Sequence, residues 1–281
     1  MSAAPLRLLA VMAHPDDETL GNGGTLARYA AEGIETHLIT ATHGQSGRYK
    51  EHRPGEPGHP GPERLAQIRE TELHAAAKVL GLREVSLLGY VDGQLDAADP
   101  REAIAKIASH VRRIRPHVVI TFAQDGGYGH PDHVAICQLA TAAIIAAADP
   151  GLAGAGELAP HAVSKLYYMA WPDAAMAAYQ EAFKKLTSLV DGVEREAHPW
   201  REWQISARID TRAYWPQVWR AVQCHDSQVA NYAKLGTLSP EHHEGLWGRG
   251  YYYRVFSTVN GSRAQETDLF EGLRPGVAPM R

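Results

Sequence analysis

Four apolar runs, each followed by a helix-like segment, occupy the first half of the chain. The runs are Leu6–Met12, Thr36–Thr42, Glu84–Leu88 and His117–Phe122. The last run, HVVITF, shows no alternation of polar and apolar residues, which is typical of a strand buried on both faces of a parallel sheet. Four strand–helix units in succession predict a three-layer α/β fold with a mostly parallel sheet.

Helix start and stop signals agree with this alternation. The segment Glu63–Leu80 precedes Gly81, a favourable left-handed helix stop. Asp99-Pro100-Arg101-Glu102 has the sequence of a capping box that would begin a helix reaching about Arg115. We expect two further helices, one over 25–32 and one from Pro131 to about Ala148.

The second half repeats the alternation less regularly. After a link from Pro150 to Pro160, we expect strands near 165–170, 204–209 and 251–259, and helices near 174–189 and 212–224. A chain of 281 residues can form one large domain. We therefore predict a single domain over 1–281, with an α/β core over 1–150 and a C-terminal elaboration over 151–281.

Charge and cysteine usage narrow the class of partner. Lys and Arg total 28 against 32 Asp and Glu, and no dense basic stripe is present, so we expect neither a nucleic-acid nor a membrane partner. The opening Met1–Pro5 lacks the basic region of a signal peptide, and no apolar run is long enough to span a membrane. Cys137 and Cys224 form no CxxC pair. We expect a cytoplasmic protein with a small-molecule partner, and a homo-oligomer is compatible with the sequence.

Two histidine–carboxylate clusters follow the first and fourth predicted strands. The first cluster consists of His14, Asp16, Asp17 and Glu18, and the second of Asp125, Tyr128, His130, Asp132 and His133. Doubly wound sheets bind ligands at the carboxyl edge where the strand order reverses, so neighbouring first and fourth strands would make the clusters face each other. Three ligands drawn from His and carboxylate, with a position left for water, are the composition of a catalytic zinc site.

The adjacent carboxylates Asp16 and Asp17 suggest how such a site would work. Neighbouring side chains point in different directions, so one carboxylate can bind the ion while the other takes a proton from the bound water. Zinc would bring the pKa of that water to about 7. Each residue taken alone is better explained as a helix cap or a turn residue, and Asp16 or Asp132 could serve only as a cap. Two such clusters at one sheet edge favour the functional interpretation.

The motifs Ala13-His-Pro-Asp-Asp-Glu18 and Gly129-His-Pro-Asp-His133 resemble the paired signatures of the LmbE-like, or PIG-L, family of zinc-dependent N-acetylglucosaminyl deacetylases. The longer string Gly126–Val134 is similar to the branch that contains the mycothiol deacetylase and the mycothiol conjugate amidase. The resemblance is good over residues 6–148 and looser beyond. It implies a Rossmann-like sheet and hydrolysis of the acyl amide of an amino sugar.

The resemblance also implies residue roles. The implied zinc ligands are His14, Asp17 and His133. Asp16 would be the general base, and His130 would stabilise or protonate the tetrahedral intermediate. Tyr128 matches a mobile active-site tyrosine of the family.

Two charged residues fall inside the apolar stripe of the helix predicted over 63–80, namely Arg69 and Glu72. Since charged side chains are rarely buried unpaired, they would either pair with each other or point into a cavity at the sheet edge. By the resemblance, Arg69 matches a substrate-binding arginine. Asp92, which follows the third strand, matches a sugar-binding aspartate.

One element departs from the family's pattern, and one follows it. Where the family commonly has Gly-Glu-x-Gly after the second strand, this chain has Gly44-Gln45-Ser46-Gly47, which puts any role of that glutamate in doubt. Near the C-terminus, Cys224-His225-Asp226-Ser227-Gln228 resembles the family's Ala-His-x-Ser/Thr-Gln element, which is weakly tied to the substrate pocket.

Two other functions remain open at this stage. Two histidines and one carboxylate also make the facial triad of mononuclear non-haem iron oxygenases. Those enzymes usually have an all-β barrel, and they do not need a second aspartate beside the ligand. A non-catalytic sugar-binding protein that kept its metal would leave Asp16 and His130 unexplained. The leading interpretation is a zinc-dependent amide hydrolase of N-acetylglucosamine-type sugars or related thiol-glycoside conjugates, in which Fe²⁺ could replace zinc.

Overall fold

The computed structural model describes residues 5–152, 158–183, 187–190, 192–261 and 264–274. Its centre is a seven-stranded sheet in the order β3-β2-β1-β4-β5-β9-β8. Its strands are β1 Arg7–Met12, β2 Glu35–Thr42, β3 Glu84–Tyr90, β4 Val118–Thr121, β5 Lys165–Met169, β8 Ala207–Asp210 and β9 Arg249–Ser257. The first five strands pair in parallel, and β8 and β9 add antiparallel pairs. The predicted α/β fold with a mostly parallel sheet is confirmed.

Helices alternate with the strands as predicted. They are α1 Asp17–Ala31, α2 Pro62–Leu80, α3 Pro100–Ile114, α4 Gly126–Gly129, α5 Pro131–Ala146, α6 Asp173–Phe183, α7 Trp215–Val222 and α8 Pro240–Trp247. Gly81 ends α2 with φ 81°, and Asp99 caps α3 by accepting a hydrogen bond from the backbone N–H of Arg101. The helix expected over 25–32 is the second half of the longer α1, which begins within the first histidine–carboxylate cluster.

The strand order reverses between β1 and β4. Leu8 on β1 lies opposite Thr36 of β2 on one side and Val118 of β4 on the other, and all three strands run in the same direction. The chain segments that leave β1 and β4 therefore diverge from one point at the carboxyl edge, where a crevice opens. The two histidine–carboxylate clusters follow β1 and β4, so both lie at this crevice.

The C-terminal part differs from the prediction in three places. The helix expected to reach Leu189 ends at Phe183, and residues 187–190 form strand β6, paired antiparallel with β7 over Val193–Glu196. The described residues exclude 184–186, which belong to the predicted helix, and 153–157, which belong to the predicted link. The strand expected near 204–209 begins at Ala207, because Glu202–Gln204 is a 3-10 turn. Helix α8 was not predicted.

Strands from both halves of the chain share one sheet, which supports the proposal of a single domain. β4 is buried along its whole length, as HVVITF predicted, and β5 in the C-terminal half pairs with it. Within the described residues, no helix is both long and apolar enough to cross a membrane.

Candidate active site

A cavity of about 290 Å³ opens at the carboxyl edge of β1 and β4. All eight residues predicted for the site line it: His14, Asp16, Asp17, Arg69, Asp92, Tyr128, His130 and His133. The other lining residues are Leu20, Gly21, Gly47, Phe122, Met169, Trp171, Tyr179 and Gln228. The structure thus brings together side chains from segments more than 200 residues apart in the sequence.

Three of these side chains have donor atoms at the spacing of a tetrahedral metal site. His14 Nδ1 lies 3.2 Å from His133 Nε2. Asp17 Oδ2 lies 3.6 Å from His14 Nδ1, and Asp17 Oδ1 lies 3.5 Å from His133 Nε2. Ligands about 2.0–2.1 Å from a tetrahedral zinc ion would be separated by about 3.3–3.4 Å. The two nitrogens and the Asp17 carboxylate therefore lie around one position for a small divalent ion, with Oδ2 of Asp17 near His14 and Oδ1 near His133.

Outer contacts hold the two imidazoles in the tautomers that such an ion requires. His14 Nε2 donates to Asp132 Oδ2 at 3.1 Å and to Asp92 Oδ1 at 3.0 Å. His133 Nδ1 donates to the carbonyl of Gly126 at 3.1 Å, and the ring stacks on Phe122 with centroids 3.9 Å apart. Each ring thus directs its remaining nitrogen toward the other ring. Such contacts fix ring orientation in metal sites.

Asp132 extends this support to the loop after β3. Its carboxylate is fully buried and accepts hydrogen bonds from the backbone N–H groups of Gly93, at 2.7 Å, and Leu95, at 3.0 Å. A residue that the sequence could explain as a simple helix cap therefore connects His14 to a neighbouring loop. Asp92 lies on that loop, where Ser46 N donates to it at 3.0 Å.

The electrostatics of this cluster indicate a place for a cation. Burial opposes a charge on His14, but hydrogen bonds to Asp132, Asp17 and Asp92 raise its pKa well above the ordinary value. Burial lowers the pKa of His133 to about 3, although Asp17 opposes that shift. Burial also opposes the charge on Asp17, yet the two imidazoles lower its pKa. The carboxylates around His14 therefore favour a positive charge at this point of the cavity.

Among the described residues, two groups of three side chains have donor atoms that all lie within 4.8 Å of one another, and neither group includes Asp17. One adds His130 to His14 and His133, and the other joins His14 with Asp92 and Asp132. In the second group, Asp132 already accepts two backbone hydrogen bonds as well as one from His14. The set of His14, Asp17 and His133 leaves all these hydrogen bonds in place, and for that reason we favour it.

Asp16 sits next to the cluster in a strained backbone conformation. Its φ of 101° is in the left-handed region, which is unusual for a residue other than glycine. It occupies the N-cap position of α1 but makes no side-chain cap hydrogen bond. Instead, Arg69 Nη2 donates to its Oδ2 at 3.1 Å, and Glu18 Oε2 accepts from its backbone N–H at 2.9 Å. The cap interpretation therefore does not account for the Asp16 side chain.

Arg69 and Glu72 are buried, as their position in the apolar stripe of α2 predicted, but their partners lie on other segments. Arg69 Nη1 donates to the carbonyl of Gly44 at 2.8 Å, and Nη2 also donates to the carbonyl of Pro15. A Cβ at Gly44 would overlap the guanidinium, which explains the glycine at this turn. Glu72 accepts from both the backbone N–H and the hydroxyl of Ser227, at 2.6 and 2.7 Å.

Gln45 lies in the same turn, at the position of the family's glutamate. Its Nε2 donates to the carbonyl of Tyr90 at 3.4 Å, while Arg69 contacts the glycine before it. The backbone carbonyl of Gly44, and not the side chain at position 45, therefore links this turn to Arg69.

His130 is the N-cap of α5, as its position before Pro131 predicted. Its Nδ1 accepts a hydrogen bond from the backbone N–H of Asp132 at 3.2 Å. Burial, followed by the proximity of His14, lowers the pKa of His130. The neutral ring therefore carries its proton on Nε2, as a donor for the cavity.

Tyr128 lies beside these rings, with its centroid 6.1 Å from that of His130 and 5.3 Å from that of His133. It is on α4, a short segment in which Gly127 and Tyr128 have non-helical dihedral angles. Burial raises the pKa of Tyr128, so its hydroxyl stays protonated.

The segment Cys224–Gln228 reaches the site through three contacts. His225 Nε2 lies 2.8 Å from Glu18 Oε1, and both side chains are fully buried. Ser227 is bound by Glu72, as described above, and Gln228 lines the cavity. Glu18 thus connects the backbone of Asp16 to the C-terminal half.

Sequence reasoning missed the apolar side of the cavity. Leu20, Met169, Trp171 and Tyr179 line it, and none was assigned to the site. Apolar and aromatic residues spaced this widely look like ordinary core residues, so the sequence offered no signal for them.

Comparisons with known proteins agree with the geometry. The family model described as GlcNAc-PI de-N-acetylase (PIG-L) matches residues 9–144. A 1D-myo-inositol 2-acetamido-2-deoxy-alpha-D-glucopyranoside deacetylase from Streptomyces avermitilis is 36% identical over 299 residues, which cover 96% of this chain and 98% of that protein.

Two solved structures are similar in fold. The N,N'-diacetylchitobiose deacetylase from Pyrococcus horikoshii has a TM-score of 0.65 at 20% identity, covering 89% of this chain and 83% of its own. GalB, the 4-carboxy-2-hydroxymuconate hydratase from Pseudomonas putida, has a TM-score of 0.68 at 18% identity, covering 92% of this chain and 99% of its own. Because one fold carries both enzymes, fold alone does not select the reaction.

The sequence relative distinguishes the functions left open above. Neither the iron oxygenase nor the non-catalytic sugar-binding protein is supported, since the sheet is not an all-β barrel and the relative is a deacetylase. Identity of 36% over 96% of the chain, together with the match of residues 9–144, shows that the chain belongs to the PIG-L family of de-N-acetylases.

Proposed function

We propose that this protein is a zinc-dependent deacetylase that removes the acyl group from an N-acetylglucosamine-type amino sugar or a related thiol-glycoside conjugate. The observation that carries the proposal is the convergence of His14, Asp17 and His133 in one cavity, with donor atoms 3.2–3.6 Å apart. A second carboxylate, Asp16, lines the same cavity without belonging to that set. A purely structural metal site would not need it.

The donor set of two imidazoles and one carboxylate suits zinc, with Fe²⁺ as the alternative occupant. When bound there, zinc would polarise the acyl carbonyl and bring the pKa of a bound water to about 7. Asp132 and Asp92 would support the ion indirectly, because both carboxylates accept a hydrogen bond from the His14 ring.

Asp16 is the general base of the proposed mechanism. Arg69 holds one of its carboxylate oxygens, and the left-handed backbone turns the side chain away from the α1 cap position. The carboxylate takes a proton from water as that water adds to the acyl carbon. A positioned base of this kind contributes about 10²- to 10⁴-fold to the rate.

His130 and Tyr128 act on the oxygen and nitrogen of the reacting amide. With Nδ1 engaged by the backbone of Asp132, neutral His130 presents Nε2–H to the cavity. A fixed donor near the developing oxyanion stabilises the transition state, and the departing amine takes the proton that Asp16 removed from the water. Tyr128, which stays protonated, offers a second donor.

The substrate's sugar would lie toward Arg69 and Asp92. Both line the cavity, although the structure commits Arg69 to Asp16 and to two backbone carbonyls. Asp92, which contacts Ser46 and His14, is the better placed of the two to accept a sugar hydroxyl. A cytoplasmic location and the oligomeric state stay predictions.

The direct test is acetate release from N-acetylglucosaminides by the purified protein. We expect activity that is lost on treatment with a chelator and restored by one equivalent of zinc, whereas His133→Ala should neither bind the ion nor release acetate. Deacetylation that persists in metal-free protein would contradict the proposal.

A further inference from the structure

The cavity has two chemically different ends, and the order of strands in the sheet separates them. The proposed metal ligands follow β1 and β4, in the middle of the parallel strands. The segments after β2 and β3, on one side, supply Gly47 and Asp92. The end of β5, on the other side, supplies Met169 and Trp171. A substrate whose reacting carbonyl lies at the centre therefore extends in both directions along the sheet edge.

The end next to β5 is apolar. Trp171 stacks on Tyr179 of α6, with ring centroids 4.7 Å apart and an angle of 17° between the planes. The Tyr179 hydroxyl donates to the backbone carbonyl of Leu20 on α1, so its polar atom is already satisfied. Met169 and Leu20 complete this wall, which we call the β5 wall and define as Leu20, Met169, Trp171 and Tyr179.

The opposite end is polar. Asp92 lies there at the end of β3, and Gln228 enters from the C-terminal half. The Arg69 guanidinium lies beneath Gly44 and Gly47 of the turn after β2. Charged and amide groups of this kind match the hydroxyl groups of a sugar, but they would be poorly matched to a hydrocarbon chain.

We propose, on the basis of the proposed function, that the β5 wall is a subsite for the acyl group and that the enzyme hydrolyses N-acyl amino sugars whose acyl chain is longer than acetyl. An amide carbonyl has two substituents, the amine and the acyl chain. If the amine-bearing sugar takes the polar end, the acyl chain extends toward the β5 wall. An acetyl group would leave most of that wall without contact.

The chemistry is unchanged for a longer chain. Water adds to the acyl carbon, the C–N bond breaks, the amine nitrogen takes a proton, and the acyl chain leaves as a carboxylate. Only the binding differs. Each CH₂ group transferred from water to an apolar surface contributes up to about a fourfold gain in binding. Where the chain is held equally in the transition state, the gain appears in kcat/KM.

The test compares N-acetyl-, N-butanoyl- and N-hexanoylglucosamine on the zinc-loaded enzyme. We expect kcat/KM for the hexanoyl substrate to equal or exceed that for the acetyl substrate. A lower value would overturn the subsite while leaving the deacetylase function intact. Failure to hydrolyse any of the three would instead overturn the proposed function, and the subsite with it.

Narrowing the subsite provides the second arm of the test. Leu20→Phe should lower the ratio of hexanoyl to acetyl kcat/KM at least fivefold, because the larger side chain fills the space beside Trp171. The same exchange at Leu189, which is 75% exposed on β6, is the matched control and should leave the ratio unchanged. An unchanged ratio in Leu20→Phe would contradict the proposal.

A further variant, Trp171→Ala, tests the subsite independently in case Leu20→Phe does not fold. Trp171→Ala removes the stacked ring and should lower kcat/KM for an N-phenylacetyl substrate about tenfold relative to acetyl, since aromatic contacts add to the apolar area. Trp203→Ala, at a tryptophan that is 83% exposed, is its control.

Methyl and hexyl glycosides of N-acetylglucosamine test whether the β5 wall binds the aglycone instead of the acyl chain. If Leu20→Phe changes the ratio of kcat/KM between these two glycosides and leaves the ratio between acyl chains unchanged, the β5 wall binds the aglycone and the assignment is wrong.

Discussion

Arg69 on α2 donates a hydrogen bond to the carboxylate of Asp16, with Nη2 and Oδ2 3.1 Å apart in a buried setting. The same guanidinium also binds the carbonyls of Pro15 and Gly44. One side chain therefore fixes the proposed base, the loop before α1 and the turn after β2. A buried arginine inside an apolar helix stripe is explained by this role.

We predict that Asp16→Asn retains the metal and loses most turnover, about 10²- to 10⁴-fold in kcat. Asparagine tolerates the left-handed backbone and keeps a hydrogen-bond acceptor for Arg69, but it cannot take a proton. Metal content by mass spectrometry and kcat for acetate release measure the two effects. Metal loss in proportion to activity would instead make Asp16 a ligand.

The matched control for that exchange is Asp99→Asn, at the N-cap of α3, which should change neither quantity. Arg69→Met adds a second check. If Arg69 acts through Asp16, Arg69→Met should lower kcat in the native protein. It should lower kcat little further in a protein that already carries Asp16→Asn. Fully additive losses would indicate that Arg69 acts separately.

For His130, the informative exchange is His130→Asn. Asparagine is a favourable N-cap residue and can replace Nδ1 as acceptor for the backbone of Asp132, but it places no donor where Nε2–H lies. We expect the metal to be retained and kcat to fall about 10²- to 10³-fold, the effect of losing one oxyanion donor. Full activity in this variant would make His130 a helix cap and nothing more.

Asp132→Asn tests the support of the first ligand. The carboxylate orients His14 through Nε2 and is fully buried, so its neutralisation should weaken zinc affinity about 10- to 100-fold. Competition with a chromophoric chelator measures that affinity. Asp96→Asn, on the same loop but exposed, serves as the control and should bind zinc like the native protein.

The sequence predicted the sheet because buried parallel strands are continuous apolar runs, as HVVITF shows. It predicted that the two histidine–carboxylate clusters meet at one sheet edge because each cluster lies in the segment after such a run, whereas the roles of individual residues as zinc ligands came from the family resemblance and stay a proposal. The β6–β7 hairpin was missed, since exposed residues such as Leu189 and Val193 follow no burial pattern. The link between Glu18 and His225 joins residues 207 positions apart, and nothing in local spacing indicates which distant partner a buried carboxylate meets.

A buried ion-pair network at the base of β5 predicts how stability depends on pH. Glu266 accepts from Lys165 at 2.7 Å and from the Tyr167 hydroxyl at 2.6 Å. Burial opposes its charge, but Lys165 and Tyr167 lower the pKa of Glu266 below 4.5. A carboxyl with a lowered folded-state pKa stabilises the protein above its unfolded-state pKa, and this stability is lost as the pH falls through the lower value.

We therefore predict that Glu266→Gln lowers the free energy of unfolding by about 3 kcal/mol or more at pH 7, because the buried Lys165 ammonium is left without a negatively charged partner. The difference from the native protein should shrink as the pH falls below 4.5, the ordinary pKa of the carboxyl. Urea unfolding at several pH values measures it. Glu51→Gln, at a side chain that is 74% exposed, is the control. A difference independent of pH would show that the charge of Glu266 contributes nothing.

The central claim is that His14, Asp17 and His133 hold the catalytic ion, and anomalous X-ray scattering at the zinc edge from zinc-loaded crystals tests it most directly. We predict a single anomalous peak about 2.0–2.2 Å from His14 Nδ1, His133 Nε2 and one Asp17 oxygen. A peak among His14 Nε2, Asp92 and Asp132 would contradict the account, because it would place the ion on the opposite nitrogen of His14 and remove Asp17 from the site.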